Sequence, residues 1–208
     1  MKKKYFYKFV KRTFDIICSL IGVVLLIPLT IIVKLCYIFT GDFKSIFYTQ
    51  DRIGKNGKTI HIFKYRSMIP DADKKLNELL KDPEKKKEHD KYKKLEKDPR
   101  ITKVGRILRK TSLDEFPQFI NILIGNMSVI GPRPYLPNEV KDMGEYYDDI
   151  INCKPGLTGL WQVSGRSNIA FKDRLILEQK YAKEYGLLLD IKIFFKTFIV
   201  VFQKDGAK

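Results

Sequence analysis

The spacing of apolar positions changes along the chain and predicts a series of different elements. Residues 16–33 form an uncharged, mostly apolar run of 18 positions, the threshold length for a membrane helix. Residues 46–50 and 59–66 lie on either side of G-K-N-G at residues 54–57, a turn sequence that predicts a β-hairpin. Residues 71–97 are almost all Lys, Glu, Asp and Leu, which predicts one or two exposed helices broken near Asp82-Pro83. The fold class predicted from this order is α+β and mostly helical.

Basic residues flank the uncharged run on both sides. This arrangement fits a membrane helix better than a signal peptide or the buried helix of a soluble protein. Because both flanks are basic, the positive-inside rule gives neither end a preference for the outside. Pro28 also removes a backbone donor within the run, so we predict that residues 1–40 enter the membrane and turn back. A straight spanning helix is the competing interpretation.

Residues 187–202 form a second apolar run. It carries Lys192 and Lys196 one helical turn apart, which is unfavourable for spanning a bilayer. The pattern suits an amphipathic helix that lies in the membrane interface with its apolar face down. A plain core helix explains the same pattern, and both interpretations stay open.

Two adjacent carboxylates, Asp114 and Glu115, precede an apolar period typical of one helix face, formed by Phe116, Phe119, Ile120 and Leu123. The preceding residues, 112–115, predict a capping box, and Gly125-Asn126 predicts the helix end. The carboxylates are therefore predicted at a helix N-terminus, where the dipole keeps them ionised and favours a phosphate nearby. Taken alone, such a pair only caps a helix.

Cations surround this pair in the sequence. Arg109 lies just upstream, and Arg133 is held downstream between two prolines, which suits bidentate contact with a phosphate. Lys64 and Arg66, two residues apart, share one strand face and on their own predict only a solvated cationic face. A site that holds both carboxylates and phosphates needs a cation between them, and Mg²⁺ bound through one or two carboxylates is the usual choice.

Composition narrows the class of partner. The net charge is +16, which favours anionic lipid, phosphorylated substrate or nucleic acid, but no nucleic-acid-binding motif is present. Cys18, Cys36 and Cys153 are odd in number and lack a C-x-x-C spacing, which argues against a disulfide framework and against a zinc site.

Several long motifs, in order, cover nearly the whole chain and resemble one family. The central ones are D-P-R-I-T-K-V-G-R-I-L-R-K-T-S-L-D-E-F-P-Q and G-N-M-S-V-I-G-P-R-P. They are accompanied by Q-D-R-I-G-K-N-G-K, F-K-Y-R-S-M, K-P-G-L-T-G-L-W-Q-V-S-G-R and L-L-L-D-I-K-I. Together they resemble the bacterial sugar transferase family, the monotopic phosphoglycosyl transferases. The resemblance implies a re-entrant membrane helix at residues 1–40 and a catalytic domain at residues 41–208 with an interfacial helix at 187–202. It places the protein at the bacterial cytoplasmic membrane, with the catalytic domain on the cytosolic face.

The resemblance also implies a reaction. Such an enzyme moves a sugar 1-phosphate from a UDP-sugar to undecaprenyl or another polyprenyl phosphate and releases UMP, the first membrane step of surface polysaccharide or glycoconjugate synthesis. Asp114 would be the nucleophile that carries the phosphosugar, and Glu115 would assist. Both carboxylates would hold Mg²⁺. The donor phosphates would contact a set of cations formed by Lys64, Arg66, Arg109, Arg133 and Arg166.

Two other functions stay open on the residues alone. A non-enzymatic scaffold would use the positive charge to hold anionic lipid at the membrane surface. A nucleic-acid binder would show salt-dependent binding and no requirement for Asp114. The sequence does not distinguish glucose, galactose or a modified amino sugar as the group transferred, and a homo-oligomer stays an open alternative.

Overall fold

The computed structural model describes the backbone of residues 2–165 and 169–203, with the side chains of residues 5–165 and 169–201. Helices dominate, joined by one hairpin and one short parallel strand pair, so the predicted α+β, mostly helical class is confirmed. In chain order the elements are α1 Lys2–Phe39, β1 Phe47–Ile53, β2 Thr59–Tyr65, α2 Ala72–Leu79, α3 Pro83–Tyr92, α4 Lys103–Thr111, α5 Gln118–Leu123, β3 Ser128–Ile130, α6 Val140–Met143, α7 Tyr147–Ile151, β4 Gly156–Thr158, α8 Phe171–Glu184 and α9 Leu187–Gln203.

Helix α1 is longer than the uncharged run and continues through Pro28 as one helix. One narrow stripe of the helix is buried against the rest of the protein, formed by Asp15, Ser19, Gly22, Leu26, Val33 and Tyr37. We call this set the α1 stripe. Its spacing of three or four residues, and once of seven, is that of one helix face. Within the described residues, the segment Tyr5–Phe39 is the one helix long and apolar enough to cross a membrane.

The α1 stripe contacts the domain near its start and in its middle. Near the start, the Asp15 carboxylate accepts hydrogen bonds from Ser128 Oγ at 2.9 Å and from the Val129 amide at 2.8 Å, both in β3. In the middle, Gly22 lets the helix approach so closely that an added Cβ would lie 2.3 Å from the Phe119 ring. Opposite the stripe, large apolar side chains are exposed, including Leu20, Val24, Ile27 and Ile31.

The predicted hairpin is confirmed, with a longer first strand than expected. Strands β1 and β2 pair antiparallel, with Phe47 opposite Tyr65 and Ile53 opposite Thr59. Asn56 and Gly57 both have positive φ in the turn, as its sequence predicts. The parallel pair of β3 and β4 was not predicted, because each strand is only three residues long and shows no period.

The two charged segments, residues 71–97 and 135–152, form different structures. Helices α2 and α3 are separated at Asp82, whose side chain caps α3, which confirms the predicted break in the exposed region. The acidic segment of residues 135–152, in contrast, is broken into short α and 3₁₀ turns.

Helix α9 has one buried face and one exposed apolar face. Ile193 is buried in the main apolar core with Ile122, Met127 and Tyr181, whereas Leu188, Ile191, Phe195, Phe198 and Ile199 are exposed. Lys192 and Lys196 are exposed as well. The helix therefore packs on the core, as the core-helix interpretation predicts, and it also presents apolar side chains outward; its position in the membrane interface stays a prediction.

Candidate active site

The two carboxylates lie in a tight turn between α4 and α5. Ser112 ends α4 in the left-handed conformation, with φ of 59°, and residues Leu113–Glu115 form one turn of 3₁₀ helix. The predicted capping box is wrong, because a serine in this conformation does not cap the turn with its side chain and Glu115 reaches across to another strand. The predicted helix end is confirmed, since α5 ends at Leu123 and Gly125 follows with φ of 92°.

Strand β2 supplies the cation nearest to this turn. Lys64 Nζ lies 2.7 Å from Glu115 Oε1, so the lysine pairs with the second carboxylate and not with Asp114. Both residues line a small cleft together with Arg52, Gln118 and Arg133, and with Ile62, Pro134, Gly156, Leu157 and Gln162. The structure therefore brings Lys64, Glu115 and Arg133 together, as predicted.

The two carboxylates differ in their electrostatics. Burial and the neighbouring charge of Glu115 raise the pKa of Asp114, while Lys64 and Arg109 oppose that rise. Burial also pushes the pKa of Glu115 upward, but Lys64, Arg133 and Arg52 more than offset it, and the pKa falls well below its usual value. The surroundings thus move the pKa values of the two carboxyl groups apart, an arrangement typical of catalytic carboxylate pairs.

Of the three other residues predicted to contact phosphate, the structure describes two, Arg109 and Arg66. Arg109 Nε donates to Ser67 Oγ at 2.9 Å, and the Arg109 charge acts on Asp114. Arg66 is engaged elsewhere: its guanidinium pairs with Asp42 at 2.9 Å and donates to the Ser45 carbonyl at 2.7 Å. Its predicted role in phosphate binding therefore has no support from this geometry. Arg166 lies outside the described residues.

Some residues at the site were not singled out from the sequence. Arg52 is 5% exposed, and burial together with Arg133 lowers its pKa to about 10. Asn121, fully buried on α5, uses its side-chain amide to bond the His61 carbonyl at 2.7 Å and the Phe63 amide at 3.0 Å, which fixes β2 beside the carboxylate turn. No apolar or charge pattern marks either residue, because one reads as a surface cation and the other as a polar interruption of a helix face.

The fit of a divalent metal depends on Asp114 and Glu115. Among the described residues, no group of three or more His, Cys, Asp or Glu side chains could hold a metal on its own. A half-buried carboxylate pair with one raised pKa is nevertheless suited to a hard cation that takes its remaining ligands from phosphate oxygens and water. The residues present therefore fit Mg²⁺ bound together with a phosphorylated substrate, which stays a proposal.

The segment before α4 gives a prediction about acid stability. Asp98 is bonded by the Arg100 guanidinium at 2.6 and 2.9 Å and by the Arg100 amide at 3.0 Å, and both side chains are buried. Burial alone would raise the pKa of Asp98, but the bonds from Arg100 lower it below its usual 3.8. Its stabilising contribution is therefore present above pH 3.8 and is lost as the pH falls through the lower, folded-state pKa. We expect Asp98→Asn to lower the free energy of unfolding by about 2–3 kcal/mol at pH 7, and by progressively less below that window.

Thermal melting of both proteins between pH 7 and pH 3 measures this difference. Asp173→Asn, which removes an exposed carboxylate from α8, is the matched control and should change the melting temperature little. A difference between wild type and Asp98→Asn that stays constant with pH would contradict the prediction.

Comparison with known proteins assigns the class. The family model of the bacterial sugar transferases matches residues 6–204, and the chain belongs to this family. The match confirms the family predicted from the motifs, and with it the transferase class.

Within the family, the chain is 45% identical over 201 residues to an undecaprenyl-phosphate galactose phosphotransferase of Salmonella typhimurium, covering 96% of this chain and 42% of that protein. It is 39% identical over 198 residues to the exopolysaccharide production protein ExoY of Sinorhizobium fredii, covering 95% and 87%. It is 33% identical over 209 residues to a UDP-glucose:undecaprenyl-phosphate glucose-1-phosphate transferase of Escherichia coli, covering 96% and 42%. The chain thus spans less than half the length of the first and third of these relatives.

Proposed function

We propose that this protein transfers a hexose 1-phosphate from a UDP-sugar to a polyprenyl phosphate, in the synthesis of a bacterial surface polysaccharide. The observation that carries the proposal is the Asp114–Glu115 turn: Glu115 pairs with Lys64 and lines a cleft with Arg52 and Arg133, and Asp114 is the adjacent residue. An anionic nucleophile next to a cleft lined by several cations suits a reaction at a pyrophosphate. The names of the relatives, which include galactose and glucose 1-phosphate transferases, support undecaprenyl phosphate as the acceptor and a hexose as the group transferred.

The proposed transfer reaction consists of two successive displacements at one phosphorus atom. In the first, a carboxylate oxygen of Asp114 attacks the phosphorus that bears the sugar, and the bond from that phosphorus to the bridging oxygen breaks. UMP leaves with the bridging oxygen, and the sugar phosphate stays on Asp114 as an acyl phosphate. In the second, a phosphate oxygen of the polyprenyl acceptor attacks the same phosphorus and frees the Asp114 carboxylate. Two easier steps thereby replace one difficult displacement.

The other side chains stabilise charge and position the donor. Lys64 and Arg109 favour the ionised form of Asp114, which is the form that attacks. Arg52 and Arg133 line the cleft and would neutralise the pyrophosphate and the leaving UMP. Glu115, held ionised by these cations, would orient the acceptor or help to hold Mg²⁺. Asp114 and Glu115 would hold Mg²⁺, and such an ion would supply further neutralisation of the charge that develops on UMP.

The α1 stripe supports a placement of this site at the membrane surface. The stripe packs on the domain from Asp15 to Tyr37, along the segment that a spanning helix would need for the bilayer. A helix that crossed the membrane upright would carry the packed domain, including β3 and α5, to the same depth as hydrocarbon. A re-entrant or in-plane helix with its exposed apolar face in one leaflet avoids this cost, and α9 would add a second apolar contact.

A donor screen tests the proposed function. Purified protein with undecaprenyl phosphate, Mg²⁺ and a panel of UDP-sugars should release UMP with UDP-galactose or UDP-glucose and form a lipid-linked product. UMP release that requires the acceptor in stoichiometric amount, with no burst when the acceptor is left out, would argue against the covalent route. No UMP from any donor, together with vesicle binding that depends on anionic lipid, would favour the scaffold function instead.

The orientation of α1 gives a separate prediction. In a background without Cys18, Cys36 and Cys153, single cysteines at Lys3 and Lys55 should both resist a membrane-impermeant thiol reagent in intact cells and react after permeabilisation. Both positions would then lie on the cytosolic side, as a re-entrant helix requires. Labelling of position 3 alone from outside would establish the one-pass helix. Pro28→Ala is expected to shift the protein toward that one-pass form, since it restores the backbone donor that the proline lacks.

A further inference from the structure

The backbone amide of Arg133 donates a hydrogen bond to a side chain that is distant in sequence. Pro132 and Pro134 have no N–H, so the Arg133 amide is the one backbone donor in this run of three residues. It donates to Glu178 Oε1 at 2.8 Å, across 45 positions in sequence. The two sides of the Pro132–Arg133 peptide are therefore held by different elements. Gly156 of β4 donates to the Pro132 carbonyl at 2.7 Å, and a side chain of α8 accepts from the Arg133 amide.

The burial of the Glu178 carboxyl group is energetically unfavourable. Its side chain is 0% exposed, and its second oxygen, Oε2, has no hydrogen-bond partner among the described residues. Burying a carboxyl group costs free energy unless its oxygens are satisfied, and burial raises the pKa of Glu178 to about 8 despite Arg133 and Arg174. The neighbours on the inner face of α8 include Leu175 and Tyr181, so packing alone would accept a Leu or Met at this position.

The side chain of Arg133 contacts Trp161, a ring that helix α8 also contacts. Its guanidinium lies over the Trp161 ring at 5.6 Å, and the guanidinium of Arg174 lies over the same ring at 4.4 Å. Arg174 is one helical turn before Glu178 on α8 and is 4% exposed. Helix α8 therefore supports both the backbone and, through Trp161, the side chain of the arginine that lines the cleft beside Glu115.

We propose that Glu178 is a positioning residue, which holds the Arg133 peptide so that its guanidinium meets the donor pyrophosphate in the cleft. The inference rests on the proposed transfer reaction and deepens it, because it assigns part of donor binding to a helix that contributes nothing to the carboxylate turn. A glutamate that served only the core of α8 would affect folding without any dependence on Arg133.

A double-mutant cycle separates these two roles. Glu178→Ala should lower kcat/KM for the UDP-sugar by about 10- to 100-fold, mainly through KM, which is the range for a donor, here the Arg133 amide, left without its acceptor. Glu178→Gln retains an oxygen acceptor at the same reach and should stay within about 3-fold of wild type. The double variant Glu178→Ala/Arg133→Ala should be no worse than Arg133→Ala alone, because the two residues act as one unit. Gln179→Ala removes a bond to Asp149 from the next position of the same helix and should leave the kinetics unchanged.

Additive losses in the double variant would overturn the proposal, as would a Glu178→Gln protein as impaired as Glu178→Ala at an equal melting temperature. If Glu178→Ala does not fold, the comparison of Glu178→Gln with Glu178→Met still tests the acceptor oxygen. Calorimetric binding of UDP distinguishes this inference from the proposed function. A wild type that releases no UMP but loses UDP affinity equally in Glu178→Ala and Arg133→Ala would refute the transfer reaction and support the positioning role. UDP affinity that is unchanged in Glu178→Ala would overturn the positioning role.

Discussion

Asp114→Asn is expected to reduce UMP release by at least about 10³-fold while leaving the fold intact. Asparagine has the shape of the aspartate but no anionic oxygen, so it cannot form the acyl phosphate. The pKa of Asp114 is raised by burial and by Glu115, and removal of one of two neighbouring negative charges should therefore not destabilise the turn. With donor labelled in the sugar and no acceptor, wild type should acquire protein-bound label and Asp114→Asn should acquire none.

Asp142→Asn provides the matched control for that experiment. It removes a surface carboxylate that pairs with Lys93 at 2.8 Å, far in sequence from the turn, and should retain normal turnover and labelling. Absence of label in wild type, under conditions where product forms with acceptor present, would show a single direct displacement and remove Asp114 from the role of nucleophile.

Gly105→Ala is expected to have the largest effect on stability among single substitutions outside the carboxylate turn. A Cβ at Gly105 would lie 1.9 Å from the carbonyl oxygen of Ser67, and 2.6 Å from its carbonyl carbon, so the backbone itself would have to move. We expect a loss of about 3 kcal/mol or more in the free energy of unfolding, as for other overpacked sites. For a chain of this length, that loss lowers the melting temperature by about 6–12 °C.

The same substitution should also lower activity, because α4 carries Arg109, which donates to the Ser67 side chain at 2.9 Å. Gly186→Ala is the control for stability, since the nearest atom to its added Cβ is 3.9 Å away. Thermal melting in one detergent, with UMP release measured on the same samples, tests both effects. A Gly105→Ala protein that melts like wild type would mean that α4 does not approach the Ser67 loop this closely.

The sequence predicts the elements with a clear period and fails where contacts act at a distance. The hairpin, the break at Asp82 and the end of α5 follow from local turn and capping chemistry, and they are confirmed. The capping box failed because residues 112–115 satisfy a local pattern, whereas the Lys64–Glu115 pair, 51 residues apart in sequence, decides where the glutamate points. Arg66 was grouped with Lys64 by strand alternation, but it lies just past the end of β2 and turns toward Asp42.

The site residues divide in the same way. The motifs identified Asp114, Glu115, Lys64 and Arg133, which carry recognisable side-chain chemistry. The residues that hold them, such as Asn121, have no local signature, because their partners are backbone groups of other elements. Glu178 lies four residues after Arg174, a spacing that predicts only a pair on one helix face, and its bond to the Arg133 amide depends on a contact that no spacing rule predicts.

The order in which the chain is synthesised determines when helix α1 can pack on the domain. Helix α1 is synthesised before the elements on which it packs, since Asp15 bonds to Ser128, which follows 113 residues later, and Lys11 pairs at 2.6 Å with Asp190, which follows 179 residues later. These polar side chains of α1 therefore lack their partners until β3 and α9 have been made. Helix α1 is thus packed only once the last described helix is present, and deleting it would remove part of the folded interior.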